Sequence, residues 1–357
     1  MTPYPRLVSL AHAVPAPMDH AGLWTDFFAE RFGSDPRAEK LWQSAGVTTR
    51  HGVLDPRVED VTSWGTGERM RRFMVEALPL GKEAVSGVLG GAVDPAQVGL
   101  FSVASCTGYA TPGLDIVLSR DLGFPDSTQR LGIGHMGCYA ALPGLLSVAD
   151  FARSRSRPAV LLCCELTSLH AQPPLAADTP EGLQQLVAHS LFADAAAAAA
   201  VLPGDAPDLP PGLEVLDSEA ATNVDTASLM TWDVTDTGFR MGLSPKVPYA
   251  LQDAVRPVVD TLLARHGKTV HDVAGWAVHP GGPRILDVVG ERCEVPEGGL
   301  DASRRVLDQN GNCSSGTVLM VTEEMLRTRD FAPGDLVLLM AFGPGLTLYA
   351  VLTRWAA

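Results

Sequence analysis

Three residues of this 357-residue chain pair a reactive side chain with a loop suited to hold it: Cys138, His279 and Asn312. Cys138 lies in LGIGHMGCYAALPG, where a short apolar run meets a glycine-containing turn and a mostly apolar stretch continues to Phe151. That pattern predicts a buried strand, a tight turn and a helix apolar nearly all round, as befits a large core. Cys138 then falls in the first helical turn, where free N–H groups and the positive dipole end favour a thiolate. His279 opens HPGGP after the apolar run 273–278, and Asn312 sits in NGNCSSG ahead of a further apolar helix. A histidine can keep a thiol ionised as an ion pair. Chemistry at an acyl carbonyl builds negative charge on oxygen, and a His N–H with an Asn amide can hold that charge. Taken singly, each has a plainer reading: a core cysteine, a surface-loop histidine and a turn asparagine in the left-handed region. Spacing alone does not bring the three together.

The elements that must position them alternate along the chain. Strands are predicted at 6–12, 98–105, 131–134 and 158–166, with helices at 20–32, 68–89, 113–121 and 181–190. Residues 195–200 are six alanines, for which propensity alone says helix. Their apolar flanks argue for a short buried strand instead. The Pro-, Gly- and Asp-rich stretch 203–212 is the best boundary, dividing the chain into 1–212 and 213–357. Beyond it, strand character over 214–226, a helix over 249–265, a strand over 273–278 and helices at 283–291, 300–307 and up to 326 repeat the alternation. Ser314 or Ser315 could cap the last of these helices. Strands at 336–342 and 346–355 close the chain. Such alternation implies α/β layers, although no repeat is visible at the level of letters.

Composition narrows the function. Hydrophobic residues make up 46% of the chain, enough for a sizeable core. A net charge of −14 argues against nucleic acid or an anionic membrane as the main partner. It leaves room for a local basic patch on CoA phosphates. The six cysteines form no CxxC pair or zinc spacing, which makes the cytosol the natural compartment. The opening MTPYPRLVSLAHAV does not have the pattern of a signal peptide. The uncharged run 336–353 is split by Gly343-Pro344-Gly345, so two strands and a turn are expected rather than a membrane span.

Several segments, in order, resemble the type III polyketide synthases, the chalcone synthase-like family. GHMGCYAALPG resembles the nucleophile segment, VHPGGPRILD the histidine loop and NGNCSSGTVL the asparagine turn. FGPGLT resembles the C-terminal glycine loop, here Gly343 and Pro344. SLFADAAAA resembles the segment whose Phe gates the cavity, here Phe192, with alanines at two glycine positions. SCTGYATPG and CELTSLH resemble cavity walls. The resemblance implies a thiolase-like α/β fold, two βαβαβαββ halves in a five-layer αβαβα arrangement. It also implies a homodimer, CoA thioesters as substrates, and neither metal nor bound organic cofactor.

The implied mechanism loads an acyl group from an acyl-CoA starter onto Cys138. His279 and Asn312 hold the carbonyl of malonyl-CoA or methylmalonyl-CoA while CO2 leaves, and the enolate extends the chain. Cys106, Thr107, Thr167, His170, Met241 and Ser314 are candidate pocket walls. Lys40 and Arg50 are the candidates for CoA phosphates. Met241 stands in place of a second gating Phe, His170 in place of a small residue, and Thr111 near the place of a Met that crosses the dimer interface. These departures point to bacterial members that make pyrones, resorcinols or related phenols. The alternatives are a ketoacyl-ACP synthase III-like enzyme, whose loop would read His-Gln-Ala-Asn, a papain-like hydrolase, and a non-catalytic acyl-binding homologue.

Overall fold

The computed structural model describes residues 3–33, 35–176 and 178–357. The apolar runs become strands. β1 (Arg6–Ala13) is followed by the short pair β2 (Pro17–Asp19) and β3 (Thr49–His51). Next come β4 (Leu100–Ser105), β5 (Gln129–Gly134), β6 (Ala159–Glu165) and β7 (Ala195–Leu202). The second half supplies β8 (Gly212–Thr222), the hairpin β9 (Met230–Thr235) and β10 (Gly238–Leu243), then β11 (Val273–Val278), β12 (Leu336–Gly343) and β13 (Thr347–Ala356).

Nine of these strands form one sheet in the order β11-β12-β13-β8-β1-β7-β6-β4-β5. β1 and β8 meet at its centre through only Arg6↔Glu214 and Leu7↔Leu213. Outward from that seam both halves repeat one order: first strand of the half, last, next to last, second. The letters hide this likeness because packing constrains residue class rather than identity.

Side-chain alternation sorts the core into layers. In β6, Leu161 and Cys163 face the central helices Ala141–Arg155 and Thr317–Thr328. Val160, Leu162 and Cys164 face the outer helix Thr66–Val88, as a period of two requires. The central helices also pack on Leu339 and Val351 of the second half. Beyond that half lie the outer helices Val255–Ala264 and Pro283–Arg292, against Leu338 and Leu352. Helix, sheet, helix, sheet, helix is the five-layer thiolase-like arrangement.

The alanine run is strand β7, pairing with β1 and β6. Burial on both faces overrides its helical propensity. The space there takes little more than a methyl group, since a Cβ on Gly316 would lie 3.3 Å from the Ala197 Cβ.

Three expectations are corrected. β5 is not buried: it is the sheet's outer edge, paired only with β4, and Leu131 is 37% exposed. The helix expected over 249–265 is two, Val247–Gln252 and Val255–Ala264. Pro257 explains the break, because it has no N–H for the carbonyl four residues back and its ring crowds that carbonyl. The β9–β10 hairpin was not anticipated, although MTWDVT and FRMGL both alternate apolar residues with polar ones or glycine on either side of a short turn. Among the described residues no helix is long and apolar enough to cross a membrane.

Candidate active site

The chain turns sharply between β5 and the central helix. His135 and Gly137 have φ of 55° and 74°, and Cys138 follows in a single 3-10 turn before the α-helix begins at Ala141. Glycine is needed at position 137 on two counts. Its φ is left-handed, and a Cβ there would lie 2.6 Å from Pro344 Cδ. Gly343 presses from the other side, where a Cβ would lie 2.5 Å from the Tyr139 ring and 3.3 Å from Cys138 N. The C-terminal glycine loop thus closes directly on the nucleophile turn.

Cys138 is 5% exposed, and its Sγ lies 3.7 Å from Ser314 Oγ. Burial pushes its thiol up to about 12, against the hydrogen bond from Ser314. His279, at the end of β11, is 1% exposed, and burial pulls it down to about 3. Its backbone N–H donates to Met340 O at 2.8 Å, while both ring nitrogens are buried without a hydrogen-bond partner. Burial thus favours the neutral thiol and the neutral imidazole. It works against the thiolate that a helix start would favour, and the α-helix itself begins only after the cysteine.

Asn312 is locked by its neighbours. Its N–H donates to Leu191 O at 2.8 Å, and its carbonyl accepts from Ala193 N at 3.0 Å. Its Oδ1 accepts from Ser314 N at 2.9 Å, which turns the amide's N–H donors the other way. Ser314 links the groups, since its Oγ also lies 3.4 Å from Cys106 Sγ. Cys106 Sγ in turn lies 3.5 Å from Glu165 Oε2.

Glu165 was missed in the sequence, although a lone charge ending the apolar strand PAVLLCCEL was the available signal. It is fully buried and accepts from Thr107 Oγ1 at 2.7 Å and Cys106 N at 3.0 Å, and also from Ser315 Oγ. Burial raises its carboxyl, with those hydrogen bonds opposing.

A cavity of about 320 Å³ spreads from Cys138. Cys106, Thr107, Thr167, His170, Phe192, Met241, Ser314 and Pro344 all line it, as the sequence led one to expect. Gly343 backs the cysteine without reaching the wall. His279 and Asn312 do not line it either; Asn312 reaches it through Ser314.

One side of the cavity is aromatic. Trp232, which pairs with Met241 across the hairpin, donates from Nε1 to Cys106 O at 2.5 Å. The His170 ring stacks on Phe239 at 4.4 Å. Its Nε2 donates to Thr107 O at 2.6 Å, and its Nδ1 accepts from Phe239 N at 3.0 Å. These two partners require the neutral Nε2–H tautomer.

That arrangement carries a pH prediction. Burial lowers His170 to about 4 and His279 to about 3. The unfolded chain binds their protons below its ordinary value near 6.5, and the folded chain does not. Stability is therefore full above 6.5 and falls as pH drops toward the folded values, by about 2 kcal/mol per histidine at pH 5. Buried Glu165 and Asp194, whose carboxyls are raised, work in the opposite sense. Thermal unfolding followed from pH 7 to 5 is expected to show a falling midpoint, and a shallower slope in His170→Gln. An unchanged slope in that variant would refute the assignment for His170.

The two residues offered for CoA phosphates are placed differently. Lys40 is exposed on the helix Pro36–Gln43 and does not line the cavity. Arg50 is 6% exposed, and its Nη1 donates to the backbone carbonyls of His189 and Phe192. Arg50 does line the cavity, with its guanidinium hydrogen-bonded to the chain itself.

A buried thiol opening on an acyl-sized cavity, together with an unpartnered buried histidine and a fixed asparagine on a doubled five-layer fold, fits a condensing acyltransferase. Comparison with known proteins gives the family. Residues 46–207 match the N-terminal domain of the chalcone and stilbene synthases, and residues 218–356 match their C-terminal domain. The chain belongs to this family, the type III polyketide synthases.

It is 35% identical to a 1,3,6,8-tetrahydroxynaphthalene synthase of Streptomyces peucetius subsp. caesius, over 88% of this chain and 83% of that protein. It is 30% identical to the alpha-pyrone synthesis polyketide synthase-like Pks18 of Mycobacterium tuberculosis, over 92% of this chain and 85% of that protein. The crystal structure of the tetrahydroxynaphthalene synthase of Streptomyces coelicolor A3(2) superposes with a TM-score of 0.88 at 27% identity, covering 99% of both chains.

Proposed function

We propose that the chain carries out iterative decarboxylative condensation of malonyl-CoA, or a methylated malonyl-CoA, onto an acyl group held on Cys138, followed by cyclisation to a pyrone, resorcinol or related phenol. Support comes from the membership above and from one geometric observation. Cys138 opens on the cavity while Asn312 is tied to it through Ser314 and His279 keeps both ring nitrogens free of protein partners.

In the loading step the thiol proton passes to the His279 imidazole as Cys138 Sγ attacks the starter thioester, and CoA leaves as the thiol. For extension, the carboxylate–carbon bond of the extender breaks and CO2 departs. The electron pair remains as an enolate whose oxygen accepts from the His279 N–H and the Asn312 amide. The enolate carbon then attacks the Cys138 thioester, and the cysteine sulfur leaves. Transfer of the lengthened chain back to Cys138 permits another round. Phe192 is assigned to the gate between the CoA approach and the cavity. No metal or organic cofactor enters this scheme, and the cytosol supplies both thioesters.

The test is incubation with malonyl-CoA and a panel of short to long, aliphatic and aromatic acyl-CoA starters, read by mass spectrometry of products and free CoA. Cyclised products with two or more extensions support the reading. Single condensations that need malonyl-ACP, or no consumption of any thioester, would overturn it.

The exposed edge of β5 belongs to the same proposal. An unpaired edge strand invites pairing with another chain, and Tyr109, Ile116 and Leu131 expose apolar surface in or beside the elements flanking it. A second copy of this chain is the assigned partner. Wild type is expected to sediment as a dimer at micromolar concentration and Leu131→Arg to shift toward monomer. A monomeric wild type would refute the assignment.

A further inference from the structure

Arg50 is one of the few arginines enclosed in this protein, and no ion pair satisfies it among the described residues. Its guanidinium lies 5.2 Å from the Trp42 ring centroid and 5.8 Å from that of Phe28, as a cation facing aromatic rings. Burial lowers it to about 10, so it remains charged at neutral pH, with the Asp194 carboxylate nearby opposing the shift. Its hydrogen bonds go to the carbonyls of His189 and Phe192, where the helix Pro180–Leu191 ends. The last carbonyls of a helix lack internal partners and carry negative partial charge, so a cation there is favourable.

What lies next to those carbonyls is the site itself. Leu191 O accepts from Asn312 N at 2.8 Å, and Ala193 N donates to Asn312 O at 3.0 Å. The peptide units on either side of Phe192 therefore bracket Asn312 and no other polar residue of the site. The segment is tied once more to the strand of Arg50, as Asp194 N donates to His51 O at 2.9 Å. Gly311, with φ of 73°, lets the asparagine turn settle on this support: a Cβ there would lie 2.9 Å from Ala193 Cβ and 3.4 Å from Arg50 Cβ. The backbone of Asn312 thus takes its position from 191–193, and Arg50 holds that segment from one side while Thr167 Oγ1 donates to Ala193 O at 3.0 Å.

We propose that Arg50 is a positioning residue for Asn312: by clamping the carbonyls of His189 and Phe192 it sets where the Asn312 amide meets the thioester oxygen. The inference rests on the functional reading above. It predicts an uneven defect. Loading of Cys138 uses the thiol and His279, which Arg50 does not touch, whereas decarboxylation draws on the Asn312 amide. A displacement of an ångström in a donor can cost about a hundredfold in rate.

Two half-reactions separate these outcomes. Loading is read by intact-protein mass spectrometry after brief exposure to an acyl-CoA, and decarboxylation by conversion of malonyl-CoA to acetyl-CoA and CO2. In Arg50→Met, checked for folding by thermal melting, the decarboxylation kcat is expected to fall about thirtyfold or more, with KM and loading within about threefold of wild type. Arg50→Lys, which restores a charged donor without the planar fork, is expected to recover part of that loss. A parallel fall in both half-reactions, or no fall in either, overturns the proposal. If Arg50→Met does not fold, the same ratio in Arg50→Lys decides. Wild type and Asn312→Ala serve as references. A wild type that leaves malonyl-CoA intact refutes the functional reading. An active wild type, an impaired Asn312→Ala and an unaffected Arg50→Met refute only the role of Arg50.

Discussion

Cys138→Ala is expected to abolish chain extension while the protein still folds and still decarboxylates malonyl-CoA. The substitution removes one buried sulfur whose polar neighbour is Ser314 Oγ at 3.7 Å, so a stability cost of about 1 kcal/mol is expected. Extension needs a thioester on that sulfur, and no other thiol can replace it in place. Cys106 shares Ser314 Oγ, but its sulfur also contacts the Glu165 carboxylate, and burial with that charge raises its thiol well above the ordinary range. Product formation should fall by about a thousandfold or more. Decarboxylation does not pass through the cysteine and should stay within about tenfold of wild type. Mass spectrometry of cyclised products, with acetyl-CoA measured in the same samples, reads both. Cyclised product from Cys138→Ala at the wild-type rate would remove Cys138 from the mechanism.

The second large effect is expected at Asn312. In Asn312→Ala the enolate oxygen loses one of its two donors, which costs about a hundredfold to a thousandfold in the decarboxylation rate. Part of any loss could come from structure, since Ser314 N would lose its acceptor at 2.9 Å, and an unsatisfied buried donor costs about 1–3 kcal/mol. Asn312→Asp separates the two contributions. A carboxylate keeps an oxygen for Ser314 N but replaces the amide donors with negative charge facing the enolate. If donation is the role of Asn312, the Asp variant is as slow as the Ala variant although the turn is preserved. An Asp variant with wild-type decarboxylation would show that Asn312 serves only to hold Ser314.

Much of this arrangement was legible in the residues. Buried strands such as 158–166 announce themselves because a strand covered on both faces must be apolar throughout. β6 and the alanine strand β7 are of that kind. The candidate side chains were singled out because each sits in a glycine-containing turn beside a strongly apolar element, where function tends to lie. The cavity walls came with the family resemblance, and the structure puts each of the eight named residues other than Gly343 on the cavity surface.

What was not legible depended on partners distant in sequence. The lone charge of Glu165 reads as a strand end until Thr107 and Ser315 are seen to enclose it. Nothing around Trp232 in the sequence names its partner until the hairpin carries its indole against Cys106 O. Arg50 reads as a surface cation until its guanidinium is seen enclosed beside Trp42 and bonded to the carbonyls of His189 and Phe192.

The sequence by itself determined the alternation of elements, because periodicity and turn chemistry are local properties, and it pointed to Cys138, His279 and Asn312 as candidates for the reactive groups. The tertiary structure alone decided which face each strand presents, that β5 is an edge, that burial favours the neutral forms of the Cys138 thiol and the His279 imidazole, and that Asn312 is held through 191–193. Those outcomes follow from desolvation and from hydrogen bonds across more than a hundred residues of chain, and neither is written in the spacing of letters.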